Sequence, residues 1–399
     1  MTMVDRWDKN VPIEKSSYLN TEQLIYFNKR GKTWDNDTLN MLDLFCGAGG
    51  FSVGCKWAGF RPVFGIDHFK PAMETWCENH PNAIGCLGDI KKLDTDELKE
   101  LLHGRGIEKI HLITGGVPCQ GFSRANRKHI DHDERNFLFL EYMRVVRAFL
   151  PDYIILENVS GMRTTAGGEF EREIKKQMEE SGYNVTVKLI NAADYGVPQI
   201  RQRLVFVGVR KDADLASHYT FPIGDFRYHY RTVRDAISDL PELGNNESST
   251  YYKTEANNDY QKLMRGVSNM QGITKSEYLQ NHVAPNHPVE TIKKIAKTRQ
   301  GEPMYPRFKQ RIRLNYDKPS PTQLAGGIRP QFQFGHPTQP RGLSIRERAR
   351  IQSFPDSYKF LGGIVQERVQ TGNAVPPLMI YHIAKRIAED LERRKNSSV

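Results

Sequence analysis

Short apolar runs alternate with amphipathic stretches from about Met41 to Val209. Residues 41–45, 62–66, 110–114 and 153–156 are apolar runs of strand length. Between them, residues 71–80, 94–103, 136–149 and 169–181 carry helical spacing, the last stopped by Gly182. Two later runs, 184–190 and 204–209, have the character of antiparallel strands. Alternating units of this kind predict an α/β fold on a doubly wound sheet.

From about residue 216 to 357 the texture changes. Polar clusters such as 245–250, with frequent Pro and Gly, leave little periodicity and predict a second, smaller, loop-rich domain. Helical spacing returns at 344–352, where Ser344 and Glu347 stand at capping-box distance. The amphipathic stretch 377–393 is expected to pack back on the sheet. The expected organisation is therefore a polar N-terminal extension (1–40), a sheet domain (41–216), the loop-rich domain (217–342) and a return segment completing the first domain (343–399).

A chain of 399 residues exceeds what one compact core usually supports, which fits two domains. Its 38% apolar and 26% charged residues suit a globular protein. No apolar run approaches bilayer length and the N-terminal residues lack the apolar core of a signal peptide, so neither membrane insertion nor export is expected. Five cysteines (46, 55, 77, 86 and 119) form no CxxC pair, which predicts free thiols in a reducing compartment and no metal site. The net charge of +10 is concentrated: residues 293–341 hold eleven Lys and Arg against Glu302 and Asp317, a net +9. Charge runs are commonly just a solvated face. Here Tyr305, Phe308, Tyr316, Phe332 and Phe334 interleave the run, which favours contacts to the phosphates and bases of a nucleic acid.

One cysteine stands apart. After the apolar run 110–114, Gly115-Gly-Val-Pro-Cys119 ends a strand, and Pro118 fixes the backbone immediately before the thiol. Reactive groups of open α/β sheets sit at that edge, so Cys119 reads as a nucleophile rather than a packing cysteine. A second Gly-rich turn, Asp43-Leu-Phe-Cys-Gly-Ala-Gly-Gly-Phe51, opens a helix after the first strand, and Asp67 ends the next strand at a distance suited to ribose hydroxyls. Alone, this turn could equally serve a dinucleotide, although Ser52 stands where that fingerprint has its third glycine.

Taken together, Asp43 to Phe51, Pro118-Cys-Gln120, Glu157-Asn-Val159, Gln199-Ile-Arg-Gln-Arg203, residues 343–356 and Gln370-Thr-Gly-Asn-Ala-Val-Pro-Pro377 closely resemble, in order, the motifs of the cytosine-C5 DNA methyltransferases. The resemblance implies a Rossmann-like methyltransferase sheet that binds S-adenosylmethionine. Phe45, Gly47, Gly49, Asp67, Asp89, Ile90, Pro118 and Asn373 would form the cofactor pocket. For Phe45 and Ile90 ordinary core packing is the competing reading, and for Asp67 and Asp89 helix capping.

The implied chemistry is covalent catalysis. A thiolate adds to carbon 6 of cytosine, making carbon 5 nucleophilic enough to take a methyl group. Cys119 would be that thiolate. Glu157 would serve ring nitrogen 3, which needs a hydrogen-bond or proton donor, and Arg203 would reach the carbonyl oxygen. Arg201 would order the site or hold phosphate. Gln199, Arg201 and Arg203 alternate, which would place them on one face of an extended segment; a neighbouring carboxylate is the competing partner for the arginines. Ser123 and Arg124, in a polar loop after the nucleophile, would contact DNA, with the target cytosine flipped out of the duplex.

The stretch 217–342 would carry target recognition, with Gln199, Arg307, Lys309, Arg311, Arg313 and Arg329 as DNA contacts. Double-stranded DNA is the expected partner. A cognate restriction endonuclease, a monomeric state and a cytoplasmic, bacterial location complete the expectation. Other readings are an RNA cytosine-C5 methyltransferase on the same scaffold, a silent DNA-binding module, and a nicotinamide oxidoreductase. The last leaves the Pro-Cys-Gln and Gln-x-Arg-x-Arg segments without a role.

Overall fold

The computed structural model describes residues 24–28, 34, 38–118, 138–213, 217–268, 270, 272–325 and 333–397. Among them the strands are β1 (Ile25–Phe27), β2 (Leu39–Leu44), β3 (Phe60–Asp67), β4 (Ile84–Leu87), β5 (Leu112–Gly115), β6 (Tyr153–Val159), β7 (Tyr183–Asn191) and β8 (Gln202–Arg210). They form one sheet in the order β1-β4-β3-β2-β5-β6-β8-β7. From β4 to β6 the neighbours run parallel. β8 is antiparallel to β6 and β7 antiparallel to β8, as the two later runs predicted.

Neither β1 nor β4 was foreseen. β1 lies within the polar first 40 residues and pairs antiparallel with β4 at the sheet's edge.

Parallel strands covered on both faces read as continuous apolar runs, and the period of two sorts their side chains. In β6, Tyr153 and Ile155 join one core cluster while Ile154 and Leu156 join the other. In β8, Val205, Val207 and Val209 take the first face and Leu204 and Phe206 the second. The second face is covered by α3 (Thr95–His103), α4 (Leu138–Phe149) and α5 (Glu169–Glu180). The first is covered by α1 (Gly50–Trp57) and the C-terminal α11 (Pro377–Ser397).

Three helices lie where little periodicity was expected: α6 (Val233–Ile237), α7 (Asp259–Met264) and α8 (Val289–Lys297). The first two pack into the same core cluster as α9 (Ile345–Ile351). Ser344 and Glu347 form the expected capping box at the start of α9. All seven residues of α9 are buried, arginines included. Arg350 meets Asp239 at 2.6 Å and Asp356 at 2.6 Å, and Arg265 meets Asp239 at 2.6 Å. Arg346 donates to the carbonyls of Gln280, Pro355 and Tyr358.

The chain runs β2, β3, β4 toward one edge and then crosses back to β5 and β6 on the other side of β2. The order therefore reverses between β2 and β5, the position at which open α/β sheets form their ligand crevice beyond the C-terminal strand ends.

Candidate active site

Two turns flank that crevice. After β2, Phe45 and Gly47 have positive φ (55° and 52°) and Gly49 has φ 87°, bending the chain into α1. Such a conformation costs a phenylalanine roughly 1–3 kcal/mol, and strain of that kind collects at ligand sites. Asp67, at the end of β3, braces the turn: its carboxylate accepts the Gly47 N–H and the Phe69 N–H, each at 2.8 Å. A Cβ added at Gly47 would meet nothing within 4 Å, so this part of the turn opens on free space. At Gly49 a Cβ would lie 2.5 Å from the Tyr358 hydroxyl. The Cβ direction of the second glycine is thus taken by a side chain of the protein.

Below the turn sits Asp43, wholly buried. It accepts from Ser52 Oγ (2.5 Å), Ser52 N–H (3.1 Å) and Thr114 Oγ1 (2.9 Å), and Ser52 Oγ accepts from Trp76 Nε1 (2.9 Å). Burial pushes the Asp43 carboxyl up to about 6 despite these donors. Ser52 is therefore a built member of a network joining β2, α1, α2 (Lys70–Asn79) and β5, not a degenerate third glycine.

After β5, Gly116-Val-Pro118 leads toward Cys119, which lies outside the described residues, as do Gln120, Ser123, Arg124 and Arg329. The approach passes beside Glu157: a Cβ on Gly116 would stand 3.6 Å from Glu157 Oε2. Asn158 Nδ2 donates to the Val117 carbonyl at 3.3 Å, tying that approach to β6. Glu157 is 7% exposed, and its Oε1 lies 2.6 Å from Arg203 Nε. Pro118, Glu157 and Arg203 are thus gathered at one edge, as the sequence suggested.

Gln199 and Arg201 are not on an open face with Arg203. Gln199 is buried; its side-chain carbonyl accepts the Gln323 N–H (3.0 Å) and its amide donates to the Ile351 carbonyl (3.4 Å). It therefore faces protein, not DNA. Arg201 donates to the carbonyls of Gln323 (3.1 Å), Gly372 (3.1 Å) and Ala374 (3.0 Å). The last two flank Asn373, exposed at the end of α10 (Ile364–Asn373). Of the two roles expected for Arg201, ordering fits and phosphate binding does not. The segment it grips packs on α1, where a Cβ at Gly50 would come within 2.0 Å of the Val375 carbonyl.

Asp89 accepts the Lys91 N–H at 3.0 Å, capping a short helical turn, and Ile90 is core. Both competing readings hold there, although Asp89 remains exposed. On the basic stretch, Arg307 and Lys309 are exposed. Arg313 instead donates to the carbonyls of Ile295, Ala296 and Thr298 at the end of α8, and to His336. That corrects its expected role as a DNA reader: it closes a helix C-terminus, where carbonyls otherwise lack donors. Among the described residues no helix is long and apolar enough to cross a membrane, and no group of His, Cys, Asp and Glu could hold a metal ion.

A Gly turn after β2 and a proline-led approach after β5 thus flank the switch point of a doubly wound sheet, with a Glu–Arg pair on β6 and β8 beside that approach. The chain belongs to the C-5 cytosine-specific DNA methylase family, whose model matches residues 39–389. It is 36% identical over 352 residues to the type II methyltransferase M1.HphI of Haemophilus parahaemolyticus, covering 88% of this chain and 87% of the relative. It is 34% identical over 381 residues to M.DdeI of Desulfomicrobium norvegicum, with 88% of each covered. Among solved structures, a prophage-encoded Escherichia coli protein assigned as a DNA modification methyltransferase superposes with a TM-score of 0.73 at 26% identity, over 89% of this chain and all of that one. The activity is that of a DNA cytosine-C5 methyltransferase, and the family implies a methyl donor and a DNA substrate.

Proposed function

We propose that the chain methylates carbon 5 of a flipped-out cytosine in a specific duplex sequence through a covalent bond between Cys119 and carbon 6, with S-adenosylmethionine as donor. The observation that carries this reading is the passage of Gly116-Val-Pro118 beside the Glu157–Arg203 pair. On this reading Cys119, the next residue in the chain, would meet the side chains that hold the ring.

The residues of the first turn fit the donor. Gly47 opens on free space, Asp67 stands at its rim, and Arg201 fixes the backbone on both sides of Asn373. When bound there, S-adenosylmethionine supplies an electrophilic methyl group to carbon 5. Phe45, Gly47, Asp67, Asp89 and Asn373 would hold it. Cys119 adds as a thiolate to carbon 6. Nitrogen 3 takes a proton from solvent by way of Glu157, whose carboxylate is released as Arg203 turns an N–H from it to the cytosine oxygen, where charge collects. Loss of the carbon 5 proton to water, return of the nitrogen 3 proton and departure of the thiolate close the cycle.

Residues 217–342 would choose the target sequence. The type II designation of the relatives supports a partner restriction endonuclease reading the same sequence. A monomeric enzyme acting in the bacterial cytoplasm completes the proposal. The test is incubation with labelled S-adenosylmethionine and duplex DNA carrying 5-fluorocytosine, beside a matching transfer-RNA arm. Fluorine blocks the final elimination. A donor-dependent covalent DNA adduct, lost in Cys119→Ser, is expected. An adduct with RNA alone would reassign the substrate, and none with either would remove the covalent route.

A further inference from the structure

Most described basic side chains of residues 293–341 are explained by what they touch or by plain exposure. Arg313 caps α8, Arg341 is bound twice by Glu347, and Arg307 and Lys309 are exposed. Arg311 fits neither pattern. It is 1% exposed, yet Nε, Nη1 and Nη2 all lack a hydrogen-bond partner. Its guanidinium lies 4.4 Å from the ring centre of Phe308 and 5.8 Å from that of Tyr305. The Lys294 ammonium also lies over Tyr305, at 4.3 Å. The backbone here is a small hairpin, closed by bonds from Gly301 to Arg313 (2.7 Å), Arg313 to Glu302 (3.0 Å) and Met304 to Arg311 (2.8 Å). Arg311 opens its return arm, directly after the exposed loop 306–310.

A guanidinium held out of water with no hydrogen-bond acceptor is costly, and among the described residues only the faces of Phe308 and Tyr305 offset that cost. A phosphate contact needs no such placement, because exposed cations such as Arg307 and Lys309 supply it. An aromatic ring that fixes direction, together with a full set of unmet N–H groups, suits a base edge with two adjacent acceptors. Guanine presents that pair, O6 and N7, in the major groove. We propose that Arg311 is a specificity-determining residue that reads a guanine of the target sequence. Its guanidinium leaves the face of Phe308, itself 40% exposed, and donates to O6 and N7. A base without the paired acceptors leaves those N–H groups unmet in the interface, which is the source of discrimination. The proposal rests on residues 217–342 carrying recognition.

The test maps methylated sites by bisulfite sequencing after expressing the full chain in a host lacking cytosine-C5 methylation. In Arg311→Gln, the preference for guanine is expected to fall about 10- to 100-fold at one position of the sequence, with the other positions unchanged. Phe308→Ala, which uncovers the guanidinium without removing it, keeps the guanine. If Arg311→Gln fails to fold, Arg311→Lys retains the charge without the fork and is read the same way. Loss spread evenly over all positions, with a shallower salt dependence of DNA binding, would make Arg311 a phosphate contact and overturn the proposal. So would an unchanged sequence preference. Arg307→Gln and Lys309→Gln separate the two levels. If they weaken DNA binding while Arg311→Gln changes nothing, the proposal alone fails; if none of the three matters, the recognition role of this region fails with it.

Discussion

Glu157 and Arg203 meet at 2.6 Å although they are not cross-strand partners: the register sets Val205 opposite Glu157 and Val159 opposite Arg203. The contact is diagonal, and each side chain leans along its strand to make it. The carboxylate is therefore matched before any base arrives, and the arginine must be shared when one does.

That sharing gives the first prediction. Glu157→Gln and Arg203→Lys should each lower single-turnover methyl transfer by about 10²- to 10³-fold, the usual cost of losing one donor at a developing charge. Duplex affinity should change by less than threefold. Equal losses in affinity and rate would instead assign the pair to DNA docking.

Arg201→Ala leaves the carbonyls of Gln323, Gly372 and Ala374 without their donor. Stability should fall by roughly 3 kcal/mol. Because two of those carbonyls flank Asn373, S-adenosylmethionine should bind at least tenfold more weakly, by equilibrium dialysis, while non-specific DNA affinity holds. Weakened DNA binding with intact donor affinity would restore the phosphate role.

Ser52→Gly would complete a dinucleotide-type glycine spacing but strip Asp43 and Trp76 of their shared partner. The expected result is a loss of about 2 kcal/mol, read as a lower urea midpoint, with no gain of nicotinamide binding. A variant as stable as the parent would show the network to be dispensable.

Acid should destabilise the fold from mildly acidic pH. Burial lowers His80 to about 3 and His111, His287 and His336 to about 4, from an ordinary 6.5. Between those values the unfolded chain takes up protons that the folded chain refuses, so stability falls as pH drops. Asp43 and Glu367, raised by burial to about 6 and about 7, act in the opposite sense: the folded chain holds their protons, and their contribution is lost as pH rises. Near pH 5.5 the histidines prevail by roughly two protons, a slope of about 3 kcal/mol per pH unit. The urea midpoint should therefore drop between pH 6.5 and 5; a rise would mean the two carboxyls dominate.

Much of this was legible in the chain because it follows from local pattern. The parallel strands β2, β3, β5 and β6 are apolar runs, the start of α9 is written in Ser344 and Glu347, and Glu157 stands near the C-terminal end of β6. What escaped depends on distant partners. β1 is three residues long and exists through its pairing with β4. Arginine chemistry is the same whether the acceptor is a phosphate or a backbone carbonyl, so the sequence left Arg201 between ordering the site and holding phosphate and made Arg313 a DNA contact until their carbonyls were in view. Likewise the spacing of Gly47 and Gly49 cannot say which one faces free space.

The buried bonds of Arg350 to Asp239 and Asp356 have a practical meaning for remodelling. A recognition segment exchanged at residues 217 and 342 would take Asp239 and Arg265 from one parent and leave Arg350 and Asp356 from another. Each mismatch would strand a charge in the interior, at about 3–5 kcal/mol. Inheritance of target preference by swapping is thus tied to co-inheritance of these four residues, and a chimaera that keeps them together should fold where one that divides them does not.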